Sequence, residues 1–369
     1  MYDARRKRTG RGVCLLLLLG VTAYVLFTCI LRREKEKGIW IGAVGDIMVH
    51  TGQLSDAWDA STETFDFTPA FSGIKTQLAT PDLMIGNLET TCSEPGAVPA
   101  DVLIHGYTGY PAFNTPDAIA TALKESGFDL LGVANNHALD GGAQGWKRTV
   151  SVLQEAGLKT AGDTPCTYCT VHGLKIAVLA ATAGTNGKVP PEGFPLLQED
   201  ENLLQRIRDA KTQADLVVLL LHDGVEYESA PTDALVRRTD ACIAAGCDVV
   251  FVSHAHVPGP VALRKVQDRQ GLVLYGLGNF ISAQSDTAEL PEQTAYGLLA
   301  SVYVAPEGAI TQLRLYPTCC TRGAQGYQTA LMRKKAGLAW FKETVLQQQQ
   351  YTYQSAEGCF VIDLQKKEE

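Results

Sequence analysis

The sequence predicts an α/β protein built on largely parallel strands, and three observations support that reading. Short apolar runs alternate with stretches of helical period almost to the end of the chain, the pattern of successive strand, helix and strand units. With 46% hydrophobic and 20% charged residues over 369 positions, the chain can bury a sizeable core and is not intrinsically disordered. Six of the apolar runs end in Asp, Glu, Asn or His, and in an open α/β sheet ligands bind beyond the carboxyl ends of the strands. There is no internal repeat and no long linker, so one catalytic-size domain is the simplest organisation.

The first element is a membrane anchor. Residues 1–12 are a cytoplasmic basic segment with Arg5, Arg6, Lys7, Arg8 and Arg11, and Val13–Leu31 follow without a charged side chain. Those 19 residues are close to the ~20 that span a bilayer as a helix. Cationic flanks stay inside, so the expectation is a single-pass transmembrane signal anchor in the cell membrane with the C-terminal domain extracellular. A cleavable signal peptide is the rival. The run ends in Leu31-Arg32-Arg33-Glu34 rather than in the small residues of a cleavage site, which favours the anchor. Residues 1–37 carry nine Lys/Arg and three Asp/Glu, net +6, so the rest of the chain carries -8 - 6 = -14. A body that acidic predicts no nucleic-acid partner.

Strands are expected at Ile39–Gly45, Leu83–Asn87, Phe128–Ala134, Leu174–Ala181, Leu216–His222, Asp248–His254 and Leu272–Leu277, each a short apolar run bounded by polar or glycine residues. Helices are expected at Pro116–Ser126, Gly145–Ala156, Glu201–Gln213 and Asp233–Ala245, the second with Trp146, Val150 and Leu153 on one face. Tyr296–Val304 and Ala309–Tyr316, joined by Pro306-Glu307-Gly308, read as an antiparallel hairpin. The main domain is thus placed at 38–320, and Thr321–Glu369, with four glutamines from Gln347, as a peripheral helical extension.

Cys14 and Cys29 lie in the apolar run and read as inert membrane-buried thiols. The eight others permit disulfides without specifying a pairing. Cys166 and Cys169 have the spacing of half a zinc site, but no second such pair follows, so a loop disulfide or free thiols are expected.

The strand exits are the informative part. They read Gly45-Asp46, Gly86-Asn87-Leu88-Glu89, Asn135-Asn136-His137-Ala138-Leu139-Asp140, His222-Asp223-Gly224-Val225-Glu226, His254-Ala255-His256 and Gly278-Asn279-Phe280. Carboxylate and amide oxygens with imidazole nitrogens are what Zn, Mn or Fe accept, and the lack of thiolates argues against a structural zinc site. His254 and His256, two apart on an extended segment, would project to the same side. One histidine at a strand end is commonly a hydrogen-bonded structural residue, and an Asn-Asn-His turn can be turn chemistry alone. Six ligand-bearing exits in succession are not explained that way. A divalent transition metal centre, one or two ions of Zn, Mn or Fe, is the expectation.

These motifs, in this order over about residues 38–285, resemble the bacterial capsule-synthesis proteins of the CapA, or poly-γ-glutamate biosynthesis, type, relatives of the calcineurin-like metallophosphatases. The resemblance implies a four-layer α/β/β/α metallophosphatase-like sandwich, here preceded by one N-terminal transmembrane helix. It also implies metal-facing roles for Asp46, Glu89, Asn136, His222, His254 and His256, and a general-acid role for His137. Glu226 and Asn279 are second-rank candidates. Met48 departs from the metallophosphatase pattern, standing where a ligand histidine is usual, and a thioether suits a hard, oxygen-rich site poorly. His50 compensates only if the turn bends it back. Ser253 precedes His254 where many relatives carry His, and Asp223 replaces a commonly aromatic residue. The departures weigh against full two-metal occupancy.

The function expected from the resemblance is a membrane-anchored extracellular protein of capsule or poly-γ-glutamate synthesis or export, with a metal-dependent, phosphoesterase-like hydrolytic site. Its partners would be an anionic capsule polymer or the machinery that makes or exports it. The alternative is a non-catalytic polymer-binding or export subunit on the same fold, which the acidic body disfavours unless cations or a basic patch intervene. A serine hydrolase is set aside because Ser253 has no Gly-x-Ser-x-Gly elbow around it.

Overall fold

The computed structural model describes residues 37–197, 200–347 and 349–365. The basic segment and the expected membrane span lie outside the described residues, and no helix among the described residues is long and apolar enough to cross a membrane. In chain order, β1 (Ile39–Ile47), α1 (Thr51–Ala57), β2 (Leu83–Leu88), α2 (Ala118–Ser126), β3 (Leu130–Gly132), α3 (Gly142–Glu155) and β4 (Lys159–Ala161) form the first part. Then come β5 (Thr167–Val171), β6 (Leu174–Thr182), α4 (Asp200–Lys211), β7 (Leu216–His222), α5 (Asp233–Ala245), β8 (Val249–Ser253), β9 (Val261–Val266) and β10 (Arg269–Leu274). The chain closes with β11 (Asn279–Ile281), β12 (Tyr296–Val304), β13 (Ile310–Gly323), β14 (Gly326–Leu331), α6 (Lys335–Phe341), β15 (Thr352–Gln354) and β16 (Cys359–Asp363).

Two mixed sheets result. A ten-stranded sheet has the order β15-β16-β13-β12-β1-β2-β3-β4, with β11 beside β1 and β14 beside β13. Its β1 to β4 half is parallel, and β12 joins β1 antiparallel. A six-stranded sheet has the order β9-β10-β8-β7-β6-β5, parallel through its four central strands and antiparallel at both edges. Parallel strands need long crossovers, which α2 to α5 supply.

The inner faces of both sheets share one core. Ile41, Ile85 and Leu130 from the first meet Ile176, Val218, Phe251 and Leu272 from the second. The opposite face of the first sheet packs on Ile119 and Leu123 of α2 and Leu153 of α3, and that of the second on Leu203 and Ile207 of α4 and Leu235 and Ile243 of α5. The helical stripes therefore bury outward, and the mixed α/β class expected from the alternation is present. In α3, Trp146 and Leu153 are buried as their spacing predicted, and the Trp146 indole donates to the Val133 carbonyl at 3.0 Å.

The extension from Thr321 is neither peripheral nor chiefly helical, which corrects the sequence expectation. Strand β13 runs on to Gly323, β14 and β16 pair with it, and β15 pairs with β16. Phe341, Val345, Leu346 and Phe360 enter the core between the sheets. The eight cysteines in the described residues form no disulfide. Cys166, just before β5, packs on the helix-facing side of the second sheet, and Cys169, within β5, in the inter-sheet core.

Candidate metal centre

The parallel strands of both sheets end on the same side, and the six expected polar exits meet there. Strand β1 delivers Asp46 through a register shift against β2 between Ala43 and Asp46, which sets Asp46 opposite Asn87. Such a bulge re-aims a side chain at a sheet rim. A Cβ on Gly45 would lie 1.9 Å from the Gly278 carbonyl oxygen, so only glycine lets β1 pass this close to the loop that also receives the Asp46 amide, at 3.0 Å.

Asp46, Glu89, His222 and His256 are buried, with 0%, 0%, 2% and 2% exposure. The Asp46 carboxylate accepts from Asn87 Nδ2 at 2.8 Å and from the His254 amide at 3.2 Å, and its Oδ2 lies 3.2 Å from His256 Nδ1. Glu89 Oε1 lies 3.5 Å from His222 Nε2 and 4.0 Å from His256 Nε2, yet neither Glu89 oxygen has a hydrogen-bond partner. His254 Nδ1 is also buried without one. Three sets of donor atoms lie mutually within 4.8 Å: Glu89, His222 and His254; Asp46, Glu89 and His256; and Glu226, His254 and His256.

Five of the expected metal-facing residues are thus side by side. Asn136 joins them through its carbonyl oxygen, which accepts from His222 Nε2 at 2.7 Å. The geometry of the two late histidines differs from the expectation. β8 stops at Ser253, and His254 and His256 adopt φ of 102° and 59°, left-handed backbone that side chains rarely take and that clusters at functional sites. Their rings stand 6.1 Å apart because the turn brings them round, not because a pleat aligns them.

The electrostatics follow from burial and proximity. Burial opposes ionisation of Asp46, but the hydrogen bond and charge of His256 prevail and hold its pKa far below the usual carboxylate value. Burial, reinforced by the Asp46 charge, raises the Glu89 pKa well above that range. Burial lowers His222 and His254 to about 4, so both are neutral, whereas Glu89 and Asp46 lift His256 to about 9 against its own burial. An unpartnered buried carboxylate costs several kcal/mol unless a cation meets it. The donor set of carboxylate oxygens and neutral imidazole nitrogens suits a divalent transition ion.

His137 is seven percent exposed and its Nδ1 donates to Asp140 Oδ2 at 2.8 Å, the same oxygen that accepts the Phe113 amide at 2.7 Å. Asp140 raises its pKa despite burial, and the Glu89 charge acts in the same direction. The contacts of several neighbouring residues were not legible beforehand. Ser253 Oγ lies 2.9 Å from His222 Nδ1, and Asn279 Oδ1 accepts from His256 Nδ1 at 3.1 Å. Asn135 Nδ2 donates to Asn87 Oδ1 and to the Leu88 carbonyl. Asn186 was missed altogether: at φ 49° its carbonyl accepts from Asn136 Nδ2 at 3.2 Å and its Nδ2 lies 3.4 Å from the His137 ring nitrogens. The only signal was an Asn-Gly pair just past a strand.

Met48 is buried, one percent exposed, with its amide bonded to the Ile281 carbonyl. His50 Nδ1 accepts from the Ala283 amide at 3.3 Å and the ring stands edge-on to Phe113, so it belongs to none of the three donor sets.

Fold and site together define a mixed α/β protein with a candidate cation centre of two buried carboxylates and three imidazoles. Residues 40–284 match the family described as Bacterial capsule synthesis protein PGA_cap, and the chain belongs to that family. It is 29% identical over 310 residues to the capsule biosynthesis protein CapA of Bacillus anthracis, spanning 76% of this chain and 71% of that one. With the PGA biosynthesis protein CapA of Bacillus subtilis it shares 28% identity over 256 residues, 66% of this chain and 63% of that one. A solved calcineurin-like phosphoesterase of Bacillus subtilis overlays 83% of this chain and 96% of its own at 12% identity and a TM-score of 0.41.

Proposed function

We propose that this chain is a membrane-anchored extracellular protein of capsule or poly-γ-glutamate synthesis, and that its rim is a metal-dependent hydrolytic centre of the phosphoesterase type on a four-layer α/β/β/α sandwich. The family and the names of the two Bacillus relatives support the capsule or poly-γ-glutamate role, and the charge-free run Val13–Leu31 behind its basic residues supports the anchor. The second rests above all on Glu89, fully buried among imidazoles with both oxygens unpartnered.

Asp46, Glu89, His222, His254 and His256 would hold a divalent ion such as Zn, Mn or Fe, with the Asn136 carbonyl beside them. When bound, the ion supplies Lewis acidity toward a phosphoryl oxygen and toward the attacking water. The protein's own groups do the rest. Asp140 fixes the Nδ1 proton of His137, leaving Nε2 to protonate the departing oxygen, and the Asp140 carboxylate favours the protonated ring against its burial. Asn87, Ser253 and Asn279 hold the ring of donors in position from behind, as outer partners of metal ligands do.

The same centre without turnover, serving polymer binding or export, has one observation in its favour: buried Met48 stands at the first-motif ligand position and His50 does not replace it. His137→Gln separates the two readings. A hydrolase variant keeps its metal and loses roughly 10²–10⁴-fold in hydrolysis of a phosphodiester. Full metal, no hydrolysis by the wild type and normal surface polymer in the variant strain would refute the enzymatic reading.

A further inference from the structure

The side chains around the rim are unusual for a protein that handles a polyanion. Among the described residues, large hydrophobic side chains are strongly exposed at Val102 (56%), Leu103 (45%), Tyr110 (73%), Val189 (88%), Val225 (49%) and Tyr351 (39%). All but Tyr351 lie on three loops, and each loop leaves the carboxyl end of a strand at the centre: residues 89–117 after β2, 183–197 after β6 and 223–232 after β7. Exposed apolar residues scattered over a surface need no explanation, but a grouping around a site marks an interaction surface.

Contacts tie the loops to the centre. Gly109 lies against the backbone of His50 and Thr51. Phe113, further along the same loop, meets the rings of His50 and His137 edge-on at 5.1 and 4.7 Å. Tyr110 follows Gly109 directly, and the Tyr227 ring of the loop after β7 lies 6.1 Å from that of His256. Val225 adjoins Glu226, which shares a donor set with His254 and His256. Val189 is three residues past Asn186, which touches Asn136 and His137.

The charges on these loops oppose a polyanion. Of their eight Asp/Glu, Glu89 and Glu226 belong to the donor sets and Glu94, Asp117 and Asp223 pair with Arg148 and Arg238, which leaves Asp101, Glu192 and Glu228 against a single Lys, Lys188, so a long anionic chain meets a net negative surface around the centre. A molecule with one anionic group and an apolar tail avoids that repulsion. Its anion meets the cation centre, and its tail covers Tyr110 and the valines.

We propose, building on the hydrolytic reading above, that the substrate of this centre is an amphiphile: a phosphoester carrying an apolar chain, bound with the chain on a collar formed by Tyr110, Val189 and Val225. Hydrolysis would then form a bond from water oxygen to phosphorus and break the phosphorus–oxygen ester bond. The leaving alcohol takes the His137 Nε2 proton, and the attacking water returns one to that nitrogen.

The test uses the full chain in lipid nanodiscs with manganese added, with empty discs subtracted, and compares calorimetric binding of methylphosphonate and hexylphosphonate. Each fully buried methylene is worth about fourfold in affinity, and an open collar buries a fraction of the chain, so hexylphosphonate should bind about tenfold tighter. Tyr110→Ser combined with Val225→Ser should bring hexylphosphonate down to the level of methylphosphonate while metal content holds at the wild-type value. Equal binding of the two phosphonates by the wild type overturns the proposal. So does tighter binding of a poly-γ-glutamate oligomer than of hexylphosphonate. A double variant that loses phosphatidylcholine vesicle binding, with a hexyl-to-methyl ratio of one in the wild type, assigns the collar to the bilayer instead and also overturns it. A hexyl preference in a protein that hydrolyses no phosphoester removes the hydrolytic reading and overturns the substrate claim with it, leaving the collar as a binding surface for an amphiphilic anion. Equal kcat/KM for methyl and hexyl phosphodiesters overturns the substrate claim and leaves the hydrolytic reading standing.

Discussion

Glu89→Gln tests the cation centre most directly, because it preserves the shape of a fully buried side chain and removes the charge that has no partner. A ligand at about 100 times its Kd stabilises the folded state by about 2.7 kcal/mol. Loss of even an outer partner of a metal ligand costs about 10–100-fold in affinity. At the larger figure the same metal concentration only equals Kd, and the gain falls to about 0.4 kcal/mol. The difference of about 2.3 kcal/mol corresponds to about 3 °C in Tm for a chain of this size, readable by thermal unfolding with and without manganese or zinc. The metal-free forms should differ in the opposite sense. Glu89 is a carboxyl whose folded pKa is raised by burial and by Asp46, so its ionisation works against folding. That penalty is absent below the ordinary glutamate pKa and grows as pH rises through it toward the folded value. At neutral pH the metal-free Gln variant should therefore be no less stable than wild type. A full metal-induced rise in the variant, or a marked loss of metal-free stability, would refute the assignment, the second by making Glu89 a structural acceptor.

Asn186→Ala and Asn186→Gly both remove the amide that meets Asn136 and His137 and should both lower metal content. Only the Ala form should also lose about 1 kcal/mol of stability, because glycine tolerates the left-handed backbone at φ 49°. Wild-type metal content in both would reduce Asn186 to a turn residue. Protease added to intact cells should digest the body and leave a small anchored fragment, since the run Val13–Leu31 has its cations on the N-terminal side. Recovery of an intact body would overturn the proposed topology.

The parallel core was legible because Ile176–Ala181, Val217–Leu221 and Val249–Val252 are nearly continuous apolar runs, as strands buried on both faces must be. The site was legible for a related reason. An apolar run that gives way to Asp46, His222 or His254 departs from its patterning where the backbone leaves the core. What was not legible depends on pairing over long distances. Strand β15 is three residues long and finds its partner only in β16, and a polar Gln-rich approach gave no strand signal. Pro317 reads as a stop, yet β13 continues through it opposite Leu298. The left-handed φ of His254 and His256 is likewise invisible in residue type, since histidine carries no signal of the kind glycine does.

The charge balance of the buried cluster sets how many ions it should hold. His222 and His254 are neutral, and His256, held up to about 9, must lose its proton to become a ligand. Asp46 and Glu89 then contribute two negative charges at zero exposure, which one dication cancels. A second dication would leave the cluster at two positive charges, offset within the three donor sets only by the exposed carboxylate of Glu226. Concentrated like charge in a low-dielectric site is costly, and neither Met48 nor His50 supplies a further donor. The expected stoichiometry is therefore one ion per chain in the protein alone, rising toward two only when an anionic phosphonate adds its own charge. Elemental analysis after gel filtration, with and without hexylphosphonate, reads this directly. Two equivalents bound without any anion would show that the charge argument omits a group that neutralises the centre, whereas one equivalent that persists in Glu226→Gln would place the ion among Asp46, Glu89 and the three histidines.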